Sequence, residues 1–398
     1  MGSSGENMTK KTLSVKVSNP EVGNLKALGS LLIGENREKF VKRYGNILDF
    51  LELDVQVDAI NSLVQFYDPD LRCFIFKDFQ LAPTLEEFEQ ILGYPLEKGK
   101  PYCYPGKYPG VQKIANVLKV NDIQNLKDMI QNRKDTSGFP RSLIEEKARC
   151  LAANGDWVAF RDVLALIIYG TILFPRAQEL IDFAAIDVFL AYRDNGENPT
   201  YAVLADVYYT LNYCYEKKGK RILCCLPALY VWLVTHIFKS GCKRSCPIRD
   251  FMMCDVKPKT RQDWAEYMVN LDAGKVRWSP KWKDIDHIIF KCGTFPNVPL
   301  MGTKGVINYN PVLALRQLGH PHRGEPAKEA LTTFVIYDMD AEIAETRRVK
   351  QAWNDIVKVE GREIGKRSCE ANTNYRLWLR ERVQKVKLPF HHLVSNVE

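Results

Sequence analysis

The 398-residue sequence lacks any apolar run of the roughly 20 residues that a membrane-spanning helix requires. Two shorter apolar stretches are present, "VLALIIYGTILF" at 163–174 and "LPALYVWLVTHIF" at 226–238. A helix that is apolar on all sides but too short to cross hydrocarbon is typical of a buried core. We therefore predict two buried helices at the centre of one large domain, and we expect no association with a membrane.

The eleven cysteines include no C-x-x-C pair, and the first residues lack the apolar segment of a secretory signal. We therefore expect reduced thiols in an intracellular protein that is not secreted. His236, Cys242, Cys246 and Cys254 lie close together in the sequence, and imidazole with thiolates suits zinc. Their spacing matches no common zinc finger or ribbon, so a buried histidine with scattered thiols is the stronger interpretation. We expect no metal and no cofactor, and these four residues stay a weak zinc candidate.

The chain also contains no G-x-x-x-x-G-K-[ST] loop, no G-x-G-x-x-G fingerprint and no G-x-S-x-G elbow. The missing phosphate loops argue against an NTPase or a dinucleotide enzyme. Lys304 in "GTKG" lies in a glycine turn, and we expect it to be solvated at a hairpin tip rather than catalytic. Asp284 precedes His287 by one helical turn. This pair has the residue types of a general base, although an exposed ion pair or a helix cap explains it better.

Three inner carboxylates, Asp182, Asp187 and Asp206, allow two interpretations. Carboxylates gathered from neighbouring helices hold Mg²⁺ in nucleases. Asp206 lies in the apolar stretch "YAVLADVYY", and a buried aspartate usually has a cationic partner, for which Arg161 and Arg176 are the candidates. We expect structural ion pairs rather than a metal cluster.

Charge is concentrated in one part of the chain. Residues 239–283 contain 11 Lys and Arg against 5 Asp and Glu, which accounts for +6 of the net charge of +8. Lysine and arginine neutralise phosphates, and aromatic rings stack on bases. The candidate nucleic-acid-binding residues are Lys243, Arg244, Arg249, Lys257, Lys259, Arg261, Trp264, Arg277 and Trp278. A solvated loop over a core that contains the tryptophans is the alternative.

Local signals mark several element ends. Thr84 and Glu87 have capping-box spacing, and Gly93 follows the apolar stripe of that helix. Asn310 and Gly319 likewise predict a short capped helix over 310–319. "VPLMGTKGVINYN" at 298–310 predicts a hairpin. Residues 338–387 are mostly amphipathic helix by their periodicity, with one stripe formed by Val349, Trp353, Ile356 and Val357.

Together these features predict a mainly α fold, a single large multi-helical domain with a few short strands and hairpins. We expect residues 1–36 to form a flexible N-terminal segment and 37–390 to form the helical domain. The domain includes the C-terminal amphipathic helices at 338–387, and a tail occupies 391–398.

Several long motifs occur in a fixed order, among them "FKDFQLAPTLEEFEQILGYP", "GDWVAFRDVLALIIYGTILFP", "NPTYAVLADVYYTLN", "CCLPALYVWL", "CGTFPNVPLMGTKGVINYNPVLALRQLGHP" and "YRLWLRERV". Together they resemble the plant mobile domain family, also labelled aminotransferase-like and found in plant retrotransposons, and most closely the branch expanded in legumes and related dicots. The resemblance covers 37–390. One departure is "QLGHP", where a tyrosine before the proline is expected.

The resemblance implies a mainly helical domain without an established enzymatic activity. It also implies a nuclear location, a role in transposon silencing and a phosphatase-like partner protein. The aminotransferase label finds no support in the residues, because no phosphate loop accompanies a lysine suited to a Schiff base.

These arguments lead to three functional expectations. The first is a non-enzymatic protein-interaction module that uses its C-terminal amphipathic helices and aromatic tail as one surface. The second is a nucleic-acid-associated protein that uses residues 239–283, and the third and weakest is a metal-dependent hydrolase. We expect a nuclear protein, with the cytoplasm as the alternative.

Overall fold

The computed structural model describes residues 12–133, 136–242, 246–278, 280, 285, 287–340 and 342–394. Helices make up 47% of the structure and strands 13%. The fold is therefore mixed α and β, and the prediction of a mainly α domain is wrong. The strands are two to six residues long, and a period of two over so few residues gives little signal in the sequence.

The described chain contains helices of four to seventeen residues, several of them separated by strands or long loops. They are α1 (Gly23–Ser30), α2 (Gly34–Tyr44), α3 (Val57–Gln65), α4 (Leu85–Leu92), α5 (Val111–Leu118), α6 (Ile123–Asp128), α7 (Arg141–Ala153), α8 (Trp157–Ile168), α9 (Phe183–Asn195), α10 (Thr200–Glu216), α11 (Leu226–Ile237), α12 (Pro247–Met252), α13 (Arg261–Val269), α14 (Ile343–Ala352), α15 (Gly361–Ile364) and α16 (Thr373–Val386). A π-helical turn, Tyr169–Leu173, extends α8, and 3₁₀ turns span Asp49–Glu52, Pro311–Ala314 and His391–Leu393.

The strands form small antiparallel sheets rather than one large sheet. They are β1 (Tyr67–Asp68), β2 (Cys73–Ile75), β3 (Gln80–Leu81), β4 (Gln131–Arg133), β5 (Thr136–Pro140), β6 (Leu180–Asp182), β7 (His287–Cys292), β8 (Val298–Met301), β9 (Val306–Tyr309), β10 (Val335–Ile336) and β11 (Ile356–Glu360). The strand orders are β1-β2-β3, β4-β5-β6, β10-β9-β8 and β11-β7.

The two buried helices predicted from the apolar runs are confirmed. Every residue of α11 is buried, and α8 is buried from Ala159 onward except at Arg161. One continuous apolar cluster extends from Leu25 in α1 to Trp353 after α14. The structured chain thus begins upstream of residue 37, where we expected the domain to start. No helix in the described part of the chain is long and apolar enough to cross a membrane.

The cap signals are confirmed for α4. The Thr84 hydroxyl accepts a hydrogen bond from the Glu87 N–H at 3.2 Å, the Glu87 carboxylate accepts one from the Thr84 N–H, and Gly93 ends the helix at φ +75°. The hairpin also forms, with Val298 of β8 opposite Tyr309 of β9. Asn310 caps the next turn as predicted. That turn is a 3₁₀ turn and not an α-helix, so the predicted helix type is wrong.

The C-terminal region departs from its prediction at one point. Residues 356–360 form β11, which pairs with β7, so the helical stripe does not continue through Ile356 and Val357. Trp353 is buried and donates a hydrogen bond to the Pro299 carbonyl, and Tyr375 of α16 is buried as well. These aromatic side chains belong to the protein's own core, so they offer no surface to a partner.

Candidate functional site

A pocket of about 160 Å³ opens where three distant segments of the chain meet. They are the N-terminal stretch 16–20, the π-helical turn with the residues after it (171–178), and the residues at the start of α11 (221–227). We name this the cationic pocket. The described residues that line it are Lys16, Ser18, Asn19, Pro20, Thr171, Ile172, Pro175, Arg176, Ala177, Gln178, Arg221, Ile222, Leu223, Cys224, Leu226 and Pro227.

Backbone pairing holds two of the cations at the rim. Lys16 forms a parallel bridge with Arg221. The Lys16 N–H donates to the Lys220 carbonyl at 3.0 Å, and the Lys16 carbonyl accepts from the Ile222 N–H at 2.9 Å. The N-terminal stretch is therefore paired through its backbone with the residues that precede α11, and this pairing places Lys16 beside Arg221.

The π-helical turn supplies a buried hydroxyl. Thr171 lies inside this turn and is 5% exposed, and its Oγ1 has no hydrogen-bond partner among the described residues. An unsatisfied buried hydroxyl costs about 1–3 kcal/mol, and π-turns occur frequently at functional sites. Thr171 is among the residues that line the cationic pocket, and a bound group that reached its hydroxyl would complete the hydrogen bonding.

The charge around the pocket has one sign. Arg176 completes a set of three cations, and no aspartate or glutamate lies among the described residues that line the pocket. Arg176 is 3.6 Å from Asp182, whereas Lys16 and Arg221 form no ion pair with any described residue. A concave surface with uncompensated positive charge attracts anions.

The remaining walls are mostly apolar, formed by Ile172, Pro175, Leu226 and Pro227. Cys224 is the one thiol among the described lining residues, and burial raises its pKa to about 12. It is therefore a neutral thiol at physiological pH and a poor nucleophile. The pocket is suited to a small apolar body that carries a carboxylate or a phosphate.

Lys304 lies behind one wall of this pocket, and the prediction that it is solvated is wrong. Its side chain is 9% exposed, and its Nζ lies 3.7 Å from Asp206 Oδ2 of α10. The ammonium also donates to the Leu223 carbonyl and to Thr210 Oγ1. Leu223 lines the cationic pocket, so the buried lysine fixes the position of that wall.

Glycines permit this burial. A Cβ at Gly302 would lie 2.2 Å from Asp206 Oδ1, and one at Gly305 would lie 2.4 Å from Tyr209 Cε2, both in α10. Both distances are shorter than any real contact, so only glycine lets the hairpin tip approach α10 so closely. The predicted turn between β8 and β9 forms, and its glycines are needed for close packing against α10 rather than for exposure to solvent.

The other inner carboxylates have separate partners. Asp182 caps α9 through the Ala184 N–H, and Asp187 accepts a hydrogen bond from Tyr102 OH at 2.6 Å. Burial raises the pKa of Asp187 to about 6. Lys304, rather than Arg161 or Arg176, is the partner of Asp206, so that part of the prediction is wrong. Asp182 and Asp206 thus have the ion pairs that we expected, with Arg176 and Lys304, whereas Asp187 is bonded to a phenol.

The histidine of the weak zinc candidate is the centre of a sealed polar network. His236 and Glu87 are completely buried and lie 2.8 Å apart, Nε2 to Oε1, while Nδ1 of His236 contacts the Arg277 carbonyl at 2.9 Å. Trp232 and Gln317 also donate to the Glu87 carboxylate. Both ring nitrogens of His236 are thus engaged.

The three cysteines of that candidate lie near one another but differ in burial. Cys242 is buried, whereas Cys246 and Cys254 are half-buried. Cys254 donates to the Asp250 carbonyl, and burial raises its thiol pKa to about 11. Within the described ranges, no three His, Cys, Asp or Glu side chains are arranged to hold a metal ion.

The candidate nucleic-acid residues separate into two groups. Trp264 is buried and donates to Gln56, Trp278 packs beneath the Arg316 guanidinium at 3.7 Å, and Arg277 pairs with Asp250 at 2.9 Å. These three side chains support the fold. The second group is Arg249, Lys257 and Arg261, which are exposed, and Lys259, which is half-buried.

Some predicted residues fall outside the described part of the chain. They are Lys243, Arg244 and Asp284. His287 is described, and it lies exposed at the start of β7.

Sequence reasoning missed the principal lining residues of the cationic pocket, Lys16, Thr171 and Arg221. Lys16 was assigned to a flexible segment, and neither the π-turn nor the parallel bridge leaves a signal in the sequence.

Comparison with known families matches residues 25–384 to a "Domain of unknown function (DUF7745)". No match to the plant mobile domain family is found, so that resemblance is wrong. Its motifs were largely helix caps, glycine turns and apolar stripes, which unrelated helical proteins share for the same physical reasons. No curated protein and no solved structure matches the chain. The silencing role and the phosphatase-like partner stay untested predictions.

Proposed function

Since the chain belongs to the DUF7745 family over residues 25–384, whose description names no activity, we propose a function from the site itself: a non-enzymatic binding module that takes a carboxylate in the cationic pocket. One observation carries the proposal. Lys16, Arg176 and Arg221 line the same pocket as Thr171, whose buried hydroxyl is unsatisfied, and no acidic residue is among the described lining residues.

The expected affinity follows from the contacts. A hydrogen bond to a charged group contributes about 1.5–3 kcal/mol, and exposure of Lys16 and Arg221 at the rim reduces that contribution. Burial of a small apolar body adds about 25 cal/mol per Å². We expect a dissociation constant between about 1 mM and 1 μM, which corresponds to about 4–8 kcal/mol.

Binding without catalysis is supported by the state of the reactive groups. Lys304, Asp206, His236 and Glu87 are each less than a tenth exposed and bonded to one another in pairs. The thiol of Cys224 is kept neutral. The described lining residues therefore contain no activated nucleophile and no carboxylate or imidazole base.

The carboxylate has two sources, a free organic acid or the C-terminal residue of a partner protein. Calorimetric titration of the full chain with 4-methylpentanoate, and with the neutral 4-methylpentanamide, tests the shared chemistry. A short peptide that ends in leucine, with a free or an amidated C-terminus, tests the protein source. We expect both acids to bind and both amides to fail, and tighter binding of the acid peptide to identify a protein partner.

Arg221→Gln is the diagnostic variant and Arg380→Gln, at an exposed position of α16, is its matched control. We expect the first to weaken binding about tenfold, or about 1.4 kcal/mol, and the second to leave it unchanged. Equal binding of acid and amide by the wild type would overturn the proposal. Mass spectrometry of the titrated acid checks the absence of catalysis, because conversion of the acid would contradict a pure binding role.

We also propose a nuclear location, with the cytoplasm as the alternative. Its support is the net charge of +8, which favours association with anionic partners. A fluorescent fusion of the full chain tests it, and signal confined to the cytoplasm would reject it.

A further inference from the structure

A second pocket, of about 180 Å³, lies on another face of the fold and shares no lining residue with the cationic pocket. It is formed by the outer side of α4, the loop after it, β7 with Ile285, and β11. We name it the acidic pocket. Its described lining residues are Glu86, Glu89, Gln90, Leu96, Glu97, Ile285, His287, Ile289 and Lys358.

Glu86 has an unusual position among these residues. It is 3% exposed, and its Oε1 accepts a hydrogen bond from the Ile289 N–H at 2.9 Å. Its Oε2 has no hydrogen-bond partner among the described residues. Burial raises the pKa of Glu86 to about 7. A buried carboxylate without a cation is costly, and here the unsatisfied oxygen belongs to a side chain that lines the pocket.

The surrounding groups add negative charge. Glu89 of α4 accepts from the Leu96 N–H at 2.8 Å, and burial raises its pKa, with a further contribution from Glu97. Lys358 on β11 opposes that shift, but it forms no ion pair with a described residue. His287 is exposed at the rim. The pocket thus holds three carboxyl groups against one lysine and one histidine.

Other titratable groups face Glu86 from elements packed against it. Glu87 is the next residue of α4, and its negative charge also raises the pKa of Glu86. Tyr201 of α10 and Tyr309 of β9 are buried phenols whose pKa values are raised, first by burial and then by the charge of Glu86. Both phenols are therefore neutral near neutral pH and add no charge beside Glu86.

We propose that the acidic pocket binds a primary ammonium group carried on a short alkyl chain. An ammonium has three N–H donors, enough to satisfy the free oxygen of Glu86 and also to meet Glu89 and Glu97. Leu96, Ile285 and Ile289 provide apolar surface for the alkyl chain. A metal ion fits less well, because no three His, Cys, Asp or Glu side chains in the described part of the chain are arranged to hold one.

Calorimetric titration of the full chain at pH 7 with 1,4-diaminobutane and n-butylamine tests the proposal, with n-butanol as the neutral control. Nα-acetyl-lysinamide tests whether a lysine side chain is an equivalent source. We expect saturable binding of the amines, none of the alcohol, and proton release on binding. Release is expected because the ammonium favours the ionised carboxyl, and it appears as a dependence of the heat on the ionisation enthalpy of the buffer.

Glu86→Gln keeps an acceptor for the Ile289 N–H, and we expect it to weaken amine binding at least tenfold and to abolish proton release. Glu38→Gln, at an exposed position of α2, is the matched control and is expected to change neither. If circular dichroism shows that Glu86→Gln does not fold, Glu89→Gln replaces it, and we expect this variant also to bind the amines more weakly than the wild type.

Three results would overturn the proposal: no saturable amine binding up to about 10 mM amine, equal binding by wild type and the folded variants, or stoichiometric binding of Mg²⁺ or Ca²⁺ that displaces the amine. The outcome is independent of the carboxylate proposal. Arg221→Gln is expected to leave amine binding intact, and Glu86→Gln is expected to leave carboxylate binding intact.

Discussion

Lys304, at the tip of the β8–β9 hairpin, lies 3.7 Å from Asp206 in the middle of α10, and both side chains are almost completely excluded from solvent. Thr303 adds two hydrogen bonds to the same carboxylate, at 2.9 Å from its N–H and 2.5 Å from its hydroxyl. The pair joins the hairpin to α10 and, through the Leu223 carbonyl, to the cationic pocket.

The first prediction concerns this pair. Lys304→Met leaves Asp206 buried without its cation, so we expect a loss of about 3–5 kcal/mol in the free energy of unfolding. Urea denaturation measures the loss. The double variant Lys304→Met with Asp206→Asn removes the orphaned charge and is expected to recover part of the loss. A single variant as stable as the wild type would show that the pair is not structural.

The second prediction separates binding from folding at Thr171. Thr171→Val removes the unsatisfied hydroxyl and keeps a branched side chain of similar shape. We expect thermal stability to stay the same or to rise by about 1 kcal/mol, because no hydrogen bond to a described residue is lost. Carboxylate affinity should fall about tenfold to a hundredfold, the effect of one hydrogen bond to a charged group.

Calorimetric titration and thermal denaturation of the same preparation check this. A variant that is less stable but binds the acid as tightly as the wild type would contradict the prediction, because it would place the hydroxyl in the fold and not in the site.

The third prediction is a dependence of stability on pH. The pKa of Glu86 is raised from an ordinary value of 4.5 to about 7 in the folded protein. The folded state therefore holds a proton that the unfolded state releases, and stability falls as the pH rises from 4.5 through about 7. The loss is at most about 3 kcal/mol. Glu86→Gln removes this slope, so we expect it to be more stable than the wild type at pH 8.

Urea denaturation at pH 5 and pH 8 provides the measurement, and Glu38→Gln serves as the control that keeps the wild-type slope. If the free energy of unfolding changes by the same amount between pH 5 and pH 8 in Glu86→Gln and in the wild type, Glu86 ionises normally and the prediction is wrong.

The fourth prediction separates core packing from nucleic-acid contact in residues 246–278. Trp264 is completely buried, so Trp264→Ala should cost about 3–5 kcal/mol of stability. The exposed cations behave differently, and Lys257→Glu with Arg261→Glu should change stability by less than about 0.5 kcal/mol. Urea denaturation checks both.

The same double charge reversal tests the nucleic-acid alternative. Fluorescence anisotropy with a labelled oligonucleotide, measured at several salt concentrations, reports phosphate contacts. Salt-dependent binding that the double variant loses would revive that alternative, and the absence of binding by the wild type would end it.

Local signals in the sequence predicted local structure well. The capping box at Thr84 and Glu87, the left-handed Gly93 and the burial of α11 are confirmed, because a cap and an apolar run depend on residues close in sequence. The same reasoning failed at β11, where the valine and isoleucine of an apparent helical stripe pair with β7 instead. Strand pairing between distant segments overrides local periodicity.

The candidate site was much less accessible to prediction. Lys304 was recognised as part of a glycine turn, but its burial depends on Asp206, which lies 98 positions earlier in the chain. Thr171 gave no signal, since a π-turn in an apolar run has the composition of an α-helix. Glu86 gave no signal either, because its burial depends on β7, whose Ile289 N–H it accepts a hydrogen bond from.

The sequence by itself determined where helices start and stop, which runs are buried and where the hairpin turns, because those features follow from backbone geometry and neighbouring side chains. Tertiary structure alone decided which charged residues lie together: Lys16 beside Arg221, Lys304 against Asp206, and Glu86 with Glu89 and Glu97 in one pocket. Charged groups interact when they are close in space. In a fold of small sheets and short helices, that proximity depends on packing between segments far apart in the chain.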